Sequence, residues 1–195
     1  MKNLFTVRPQ DMLTEANSQD FIMRQFLMKH AFISLGLVLG VSESGSSVDV
    51  QPMLHGFSGG GEKIERGTIF GAPVWRLQRG NSAVIMKPVI GDIGLIAMCD
   101  RDISTVKSTK SPALPNSNRA HSYADAIYLG GVLNGTPTQY VEFADKINII
   151  SPSGINLNGV TIHPDGRLEL VTGVIVDTHV HGGVESGGDT TSTPE

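Results

Sequence analysis

Hydrophobic and polar positions follow three different rhythms along this chain. Between residues 17 and 30 the apolar side chains Phe21, Ile22, Phe26 and Leu27 recur at helical spacing on one stripe, with Arg24, Lys29 and His30 on other faces or near the end. Asn17 and Ser18 offer side-chain acceptors to a first turn, so the pattern predicts one helix starting there and ending before Gly36. From residue 35 the period shortens to two. Runs at 35–41 and 48–53, separated by Ser42-Glu-Ser-Gly-Ser-Ser47, predict two strands joined by a polar turn, and further strands are predicted over 68–70, 74–77, 82–86 and 94–99. Ser, Thr, Lys, Pro and Asn dominate 104–118, the composition of a surface loop. The region from 35 to 130 is thus a β-domain of five or six strands, and a small barrel is its natural closed form.

Beyond Val141 the texture changes again. Five short runs, 146–151, 155–158, 160–163, 167–171 and 174–181, each end near a glycine: Gly154, Gly159, Gly166, Gly173 and Gly182. Ile147/Ile149, Ile155/Leu157, Val160/Ile162 and Leu168/Leu170 alternate with polar neighbours, which gives every strand one apolar face. About 40 residues of such strands cannot enclose a core alone. Stacking within one chain wants many turns, and here there are few. Three identical chains wound about a shared axis solve the problem, because each apolar stripe meets the other two and closure removes unpaired edges. A stiff trimeric needle follows.

Composition and charge remove several function classes. Only 17% of residues are charged, against roughly 25% in ordinary soluble domains, and there are 23 glycines, which suits many turns and little helical surface. A net charge of -4 leaves no electrostatic footprint for a phosphate backbone, so nucleic acid is not an expected partner. The single cysteine, Cys99, ends an apolar run and is expected to be a core thiol. No apolar stretch is long enough for a membrane-spanning helix, and Asp11, Glu15 and Asp20 precede the first apolar run, unlike a signal peptide. Synthesis and assembly are therefore expected in the cytoplasm.

The chemistry concentrates at one end. His179 and His181 stand two apart, so in a strand both imidazoles leave the same face. Three chains around an axis would supply six nitrogens, an octahedral shell. Zinc prefers four ligands, so the set points to iron, with nickel or another divalent metal also compatible. A shell with no open position is structural, not catalytic. Period two also puts Asp177 on the face of Ile175, His179 and His181. Either three carboxylates then meet at the axis and demand a cation or donors, or the strand twists between Val176 and His179. Asp177 is accordingly a candidate for a second ion or for a partner of a histidine.

Two enzyme-like patterns are set aside. Asp177-Thr-His179-Val-His181-Gly resembles the first metal-binding strand of amidohydrolases, which need further histidines downstream, and residues 182–195 contain none. Gly56-Phe-Ser58-Gly-Gly60 matches the G-x-S-x-G nucleophile elbow but is followed by Gly61-Glu-Lys-Ile-Glu-Arg66, not by a long apolar helix pattern; an inter-strand loop is expected. His30, His55, His121 and His163 lack metal spacing. No catalytic residue is expected, and the chain is read as a non-enzyme.

With these residues in view, the sequence resembles the central spike, or membrane-piercing baseplate tip protein, of contractile-tailed phages such as the Mu-like group. The resemblance rests on Thr178-His179-Val-His181-Gly-Gly-Val-Glu-Ser-Gly-Gly188, Val48-Asp-Val-Gln-Pro52 and Pro88-Val-Ile-Gly-Asp-Ile-Gly-Leu-Ile96. It implies an all-β homotrimer with an N-terminal helical segment over 1–34, an OB-like β-barrel domain over 35–140, an intertwined triple-stranded β-helix over 141–181 and a Gly-rich apex and tail over 182–195. It implies one iron ion per trimer at His179 and His181, with room for an additional ion near the apex. Its partners would be the baseplate hub, the tail tube and the host outer membrane, and its place the virion's tail tip. Two alternatives stand beside it: an OB-like module for oligosaccharide or single-stranded nucleic acid, for which three tyrosines and one tryptophan give few stacking platforms, and the same spike in a bacteriocin or secretion injector.

Overall fold

A computed structural model describes residues 7, 9–58 and 62–180. The protein is mostly β, as the hydropathy pattern predicts, and divides into two compact units between Asn134 and Gly135. In the first unit helix α1 spans Glu15–Lys29, starting earlier than predicted. Thr14 is its N-cap, with the side chain accepting from the Asn17 amide at 3.2 Å. Asn17 and Ser18 sit inside the first turns and bind backward instead: Asn17 Nδ2 donates to the Gln10 carbonyl at 2.7 Å and Ser18 Oγ to that of Asp11 at 3.1 Å. They tie the helix to a 3-10 turn over Pro9–Met12, and Arg24 adds an ion pair to the buried Asp11 at 2.8 Å. No described residue of α1 is buried, so its apolar stripe is exposed.

The strands of this unit are β1 Ile33–Val41, β2 Ser47–Pro52, β3 Gly56–Phe57, β4 Lys63–Ile64, β5 Ile69–Pro73, β6 Leu77–Arg79, β7 Ser82–Val84, β8 Ile93–Met98 and β9 Ala126–Gly131. Five of them form one antiparallel sheet in the order β5-β2-β1-β8-β9. Register shifts at Val38/Gly40, Val48/Val50 and Leu95/Ile96 bend the strands. The sheet curls far enough for its two edges to touch: Val74, just past β5, makes a parallel bridge to Tyr128 of β9, and the Trp75 amide donates to the Tyr128 carbonyl at 2.8 Å. Inside lie Val38, Val48, Val50, Ile69, Ala72, Ile96, Met98, Ala126 and Tyr128. Gly94 is required by this closure, since a Cβ there would fall 2.3 Å from the Tyr128 ring.

Tyr128 is 1% exposed, and its hydroxyl finds no hydrogen-bond partner; burial pushes its phenol pKa up. A buried, unmade hydrogen bond costs about 1–3 kcal/mol. Tyr128→Phe is therefore expected to keep or raise the denaturant midpoint of the first unit, followed by Trp75 fluorescence; a drop of more than about 1 kcal/mol would show that the hydroxyl is satisfied.

The remaining predicted elements shift in instructive ways. Strand β9 lacks a visible alternation because the positions between its buried Ala126 and Tyr128 are also apolar, Ile127 and Leu129. The loop predicted over 104–118 opens with helix α2, Ser104–Thr109, next to Asp102, whose Oδ1 accepts from the Ser104 amide at 2.9 Å. Cys99 is half-buried, not fully interior, and burial raises its thiol pKa. Ser58 follows strand β3 and precedes strand β4, so the G-x-S-x-G match lies in an inter-strand loop; Gly59 and Gly60 lie outside the described residues. Its Oγ accepts from the Glu62 amide at 3.1 Å, which closes the loop.

The 102–125 segment is fastened by charge. Arg119 spans Asp102 at 2.8 Å and Asp125 at 3.1 Å, both carboxylates being buried. Hydrogen bonds from Ser104 and Ser117, with the Arg119 charge beside them, pull the Asp102 carboxyl from an ordinary 3.8 down to about 2. A carboxyl depressed in the folded state stabilises it above pH ~4, and that contribution disappears as pH falls toward 2. Asp102→Asn should thus lower the melting temperature at pH 6, with the gap to the unchanged chain narrowing steadily between pH 4 and 2. A constant gap over that range would mean that Asp102 titrates normally.

The second unit has the strands β10 Tyr140–Phe143, β11 Ile147–Ile150, β12 Ile155–Leu157, β13 Val160–Ile162 and β14 Leu168–Glu169. Within one chain β10 and β11 form a hairpin, and β12, β13 and β14 an antiparallel meander. The hairpin register pairs Val141 with Ile149 and Phe143 with Ile147, so one face is wholly apolar while Glu142 and Asn148 share the other. None of the described residues of this unit is buried, and that apolar face is exposed: Val141 57%, Phe143 79%, Ile147 62% and Ile149 52%.

Candidate metal-binding apex

The meander carries the chain to its histidines by repeated tight turns. Asn158 and Gly159, with φ of 53° and 94°, make a two-residue connection between Leu157 and Val160, the left-handed pair that matches strand twist. The next two turns are built alike. Gly166, φ 88°, closes a loop in which the His163 amide donates to the Arg167 carbonyl at 2.9 Å. Gly173, φ 80°, closes one in which the Leu170 amide donates to the Val174 carbonyl at 2.8 Å. Asp165 stabilises the earlier turn by accepting from the Arg167 amide at 3.1 Å, and this bond, followed by the Arg167 charge, lowers its pKa. His163 Nε2 lies 2.7 Å from Glu169 across the hairpin, a pairing between strands and not a ligand set.

The strand predicted over 174–181 is shorter than its alternation suggests. Ile175 bridges Glu169 and the Val176 amide donates to the Leu168 carbonyl at 2.9 Å, but the Thr178 amide then donates to the Ile175 carbonyl at 3.3 Å and the chain turns over 176–178. Strand periodicity therefore stops before Asp177, which sits exposed in the turn. The same turn places His179 Nδ1 2.7 Å from the Val176 carbonyl. A carbonyl can only accept, so Nδ1 carries the proton and the ring's lone pair resides on Nε2, the tautomer a metal ligand needs. His179 is exposed at this point. His181 and the 182–195 segment lie outside the described residues. Among the described residues no three His, Cys, Asp or Glu side chains of one chain converge on a possible ion.

Sequence spacing singled out His179, His181 and Asp177 but missed half of the neighbouring apolar face. Val141 and Phe143 lie at the edge of the predicted shaft, and only their pairing with Ile149 and Ile147 reveals that they share one surface.

Residues 173–195 match the family model described as Apex: GpV Apex motif, the apex of the central spike of contractile phages of the T4 and P2 kind. The matched segment contains Asp177, His179 and His181, and it supports a contractile-tail spike protein. None of the curated proteins matches the chain.

Proposed function

We propose, from a chain that carries a contractile-tail spike apex, that three copies assemble into a membrane-piercing needle whose point is closed by one metal ion. The single observation that carries this is the second unit's lack of a core: strands with a continuous apolar face and no buried described residue need other chains to cover them. Winding of three such units as a triple-stranded β-helix would bury Val141, Phe143, Ile147 and Ile149 around a common axis. The strand order of the first unit, with its antiparallel neighbours and the parallel Val74–Tyr128 closure, supports an OB-like barrel, the platform that would dock on the baseplate hub and tail tube.

At the point, His179 fits a metal: its Nδ1–H is held by the Val176 carbonyl, which orients the ring in the tautomer whose lone pair is on Nε2. His179 and His181 of three chains would form a six-nitrogen shell, suited to iron, with Asp177 nearby for a second ion. A bound ion of this kind supplies cross-linking of three chain ends and no bond chemistry, so the reading is of a non-enzymatic device. Sheath contraction would drive the needle through the host outer membrane, and the residues contribute stiffness and a narrow tip.

Multi-angle light scattering of the purified chain tests the reading. The expected mass is three times the 20.8 kDa chain. A monomer at micromolar concentration would overturn it.

A further inference from the structure

Beside the C-terminal end of α1 the first unit gathers positively charged side chains around cavities whose walls hold no carboxylate. Two adjoining cavities, about 430 and 530 Å³, share Met28, Lys29, Arg66 and Tyr123 in their walls. His30, Arg119 and His121 complete the first, and His55, Leu54, Phe57 and Ile64 the second; no Asp or Glu lines either. Arg119 is already engaged by Asp102 and Asp125, so the available charge is that of Lys29 and Arg66. Among the described residues neither has a carboxylate partner.

Arg66 is held in place but not satisfied. Its guanidinium lies over the Tyr123 ring, 5.2 Å from the centroid, and its Nε is buried without a hydrogen-bond partner. His121 Nδ1, in the same wall, is likewise buried and unpartnered. The His121 backbone is left-handed, φ 46°, and its carbonyl accepts from the Ala31 amide at 3.0 Å, which locks this wall to the end of α1. Arg66 Nε can only donate, and a buried donor without an acceptor is costly unless something arrives to accept from it; a buried ring nitrogen without a partner is costly too.

The cleft also has an apolar side. Leu54, Phe57 and Ile64 are exposed large side chains beside the cationic pair. A lone inorganic anion would make no use of this apolar wall. A long polyanion would meet a chain of net charge -4 outside this spot. A short peptide with carboxylates and an apolar side chain matches both walls. We propose that this cleft binds an acidic peptide segment of a partner protein, with its carboxylates on Arg66 and Lys29 and an apolar side chain against Leu54, Phe57 and Ile64.

The inference draws on the first unit alone, so it can fail or stand separately from the trimer and metal readings. The test is fluorescence anisotropy of the full chain with a labelled hexapeptide of alternating glutamate and leucine, beside its glutamine counterpart and inorganic phosphate as competitor. The glutamate peptide should bind at least about ten-fold more tightly than the glutamine one. Arg66→Gln and Lys29→Glu should each weaken it at least about ten-fold, and Arg66→Lys less. Lys29 sits on the exposed helix, so Lys29→Glu decides the matter if Arg66→Gln melts early. Equal binding of the two peptides, or binding indifferent to Lys29→Glu, would overturn the proposal. Full displacement by low-millimolar phosphate would overturn it too, in favour of a small-anion site.

Discussion

A chain carrying both Phe143→Asp and Ile149→Asp should run as a monomer at the concentration where the unchanged chain is expected to run as a trimer. Both side chains lie on the apolar face of the β10–β11 hairpin, beside Ile147 and Val141. Each apolar side chain of this size gains about 1.5–3 kcal/mol when fully covered, so four per chain dominate any association the strands can make. The substitutions remove two of the four and would bring six carboxylates together around the proposed axis. Burying charges without partners costs several kcal/mol each, more than the remaining Val141 and Ile147 can offset. Asn148→Ser is the matched control, because Asn148 lies on the opposite face, where its Nδ2 donates to Glu142 at 2.9 Å. It should leave the mass unchanged. A double-Asp variant that stays trimeric in sedimentation or light scattering would place this hairpin face outside the interface.

The same hairpin shows why part of the fold was legible and part was not. Strands β1, β2 and β8 announce themselves because buried and half-exposed positions alternate along them, and their bounds fall close to the predicted runs. Strand β9 has no such contrast, since both of its faces carry apolar side chains. Gly94 and Gly36 lie in the predicted strands because Tyr128 and Val50 occupy the space where a Cβ would go. That reason is a contact with the neighbouring strand, which the spacing along one strand does not show. Asn17 and Ser18 looked like caps by type; the preceding turn recruits them, and Thr14 caps instead.

For the apex, the histidine pair was legible because its members are neighbours in the chain. The geometry was not. Alternation of Val174, Val176 and Val180 with Ile175, Asp177 and His179 is the signature of a strand, but the Thr178–Ile175 hydrogen bond turns the backbone before the pattern is complete. Among the described residues no strand pairs with 177–180, and there local hydrogen bonding outweighs period two. The cationic cleft had no sequence signal at all: Lys29, Arg66 and His121 come from three separate segments, and only the fold brings them into one wall.

Replacing both His179 and His181 by alanine should remove the metal completely while leaving the trimer intact. The proposed shaft would be held by apolar faces that do not include these residues, so the mass in light scattering should not change. Elemental analysis of the unchanged trimer should give one iron per three chains, and of the double variant none. The position of the His179 proton sharpens the expectation for Asp177. Because the Val176 carbonyl already occupies Nδ1, the ring needs no carboxylate to orient that nitrogen. Asp177→Asn should therefore retain the one iron, while losing any second ion bound beside it. On the proposed reading a metal would tie three chain ends that otherwise fray, so protease digestion should trim the double variant from its C-terminus sooner than the unchanged chain. Iron that persists at full stoichiometry without His179 and His181 would remove both residues from the site, and a double variant that falls apart into monomers would move the assembly's main support from the shaft to the tip.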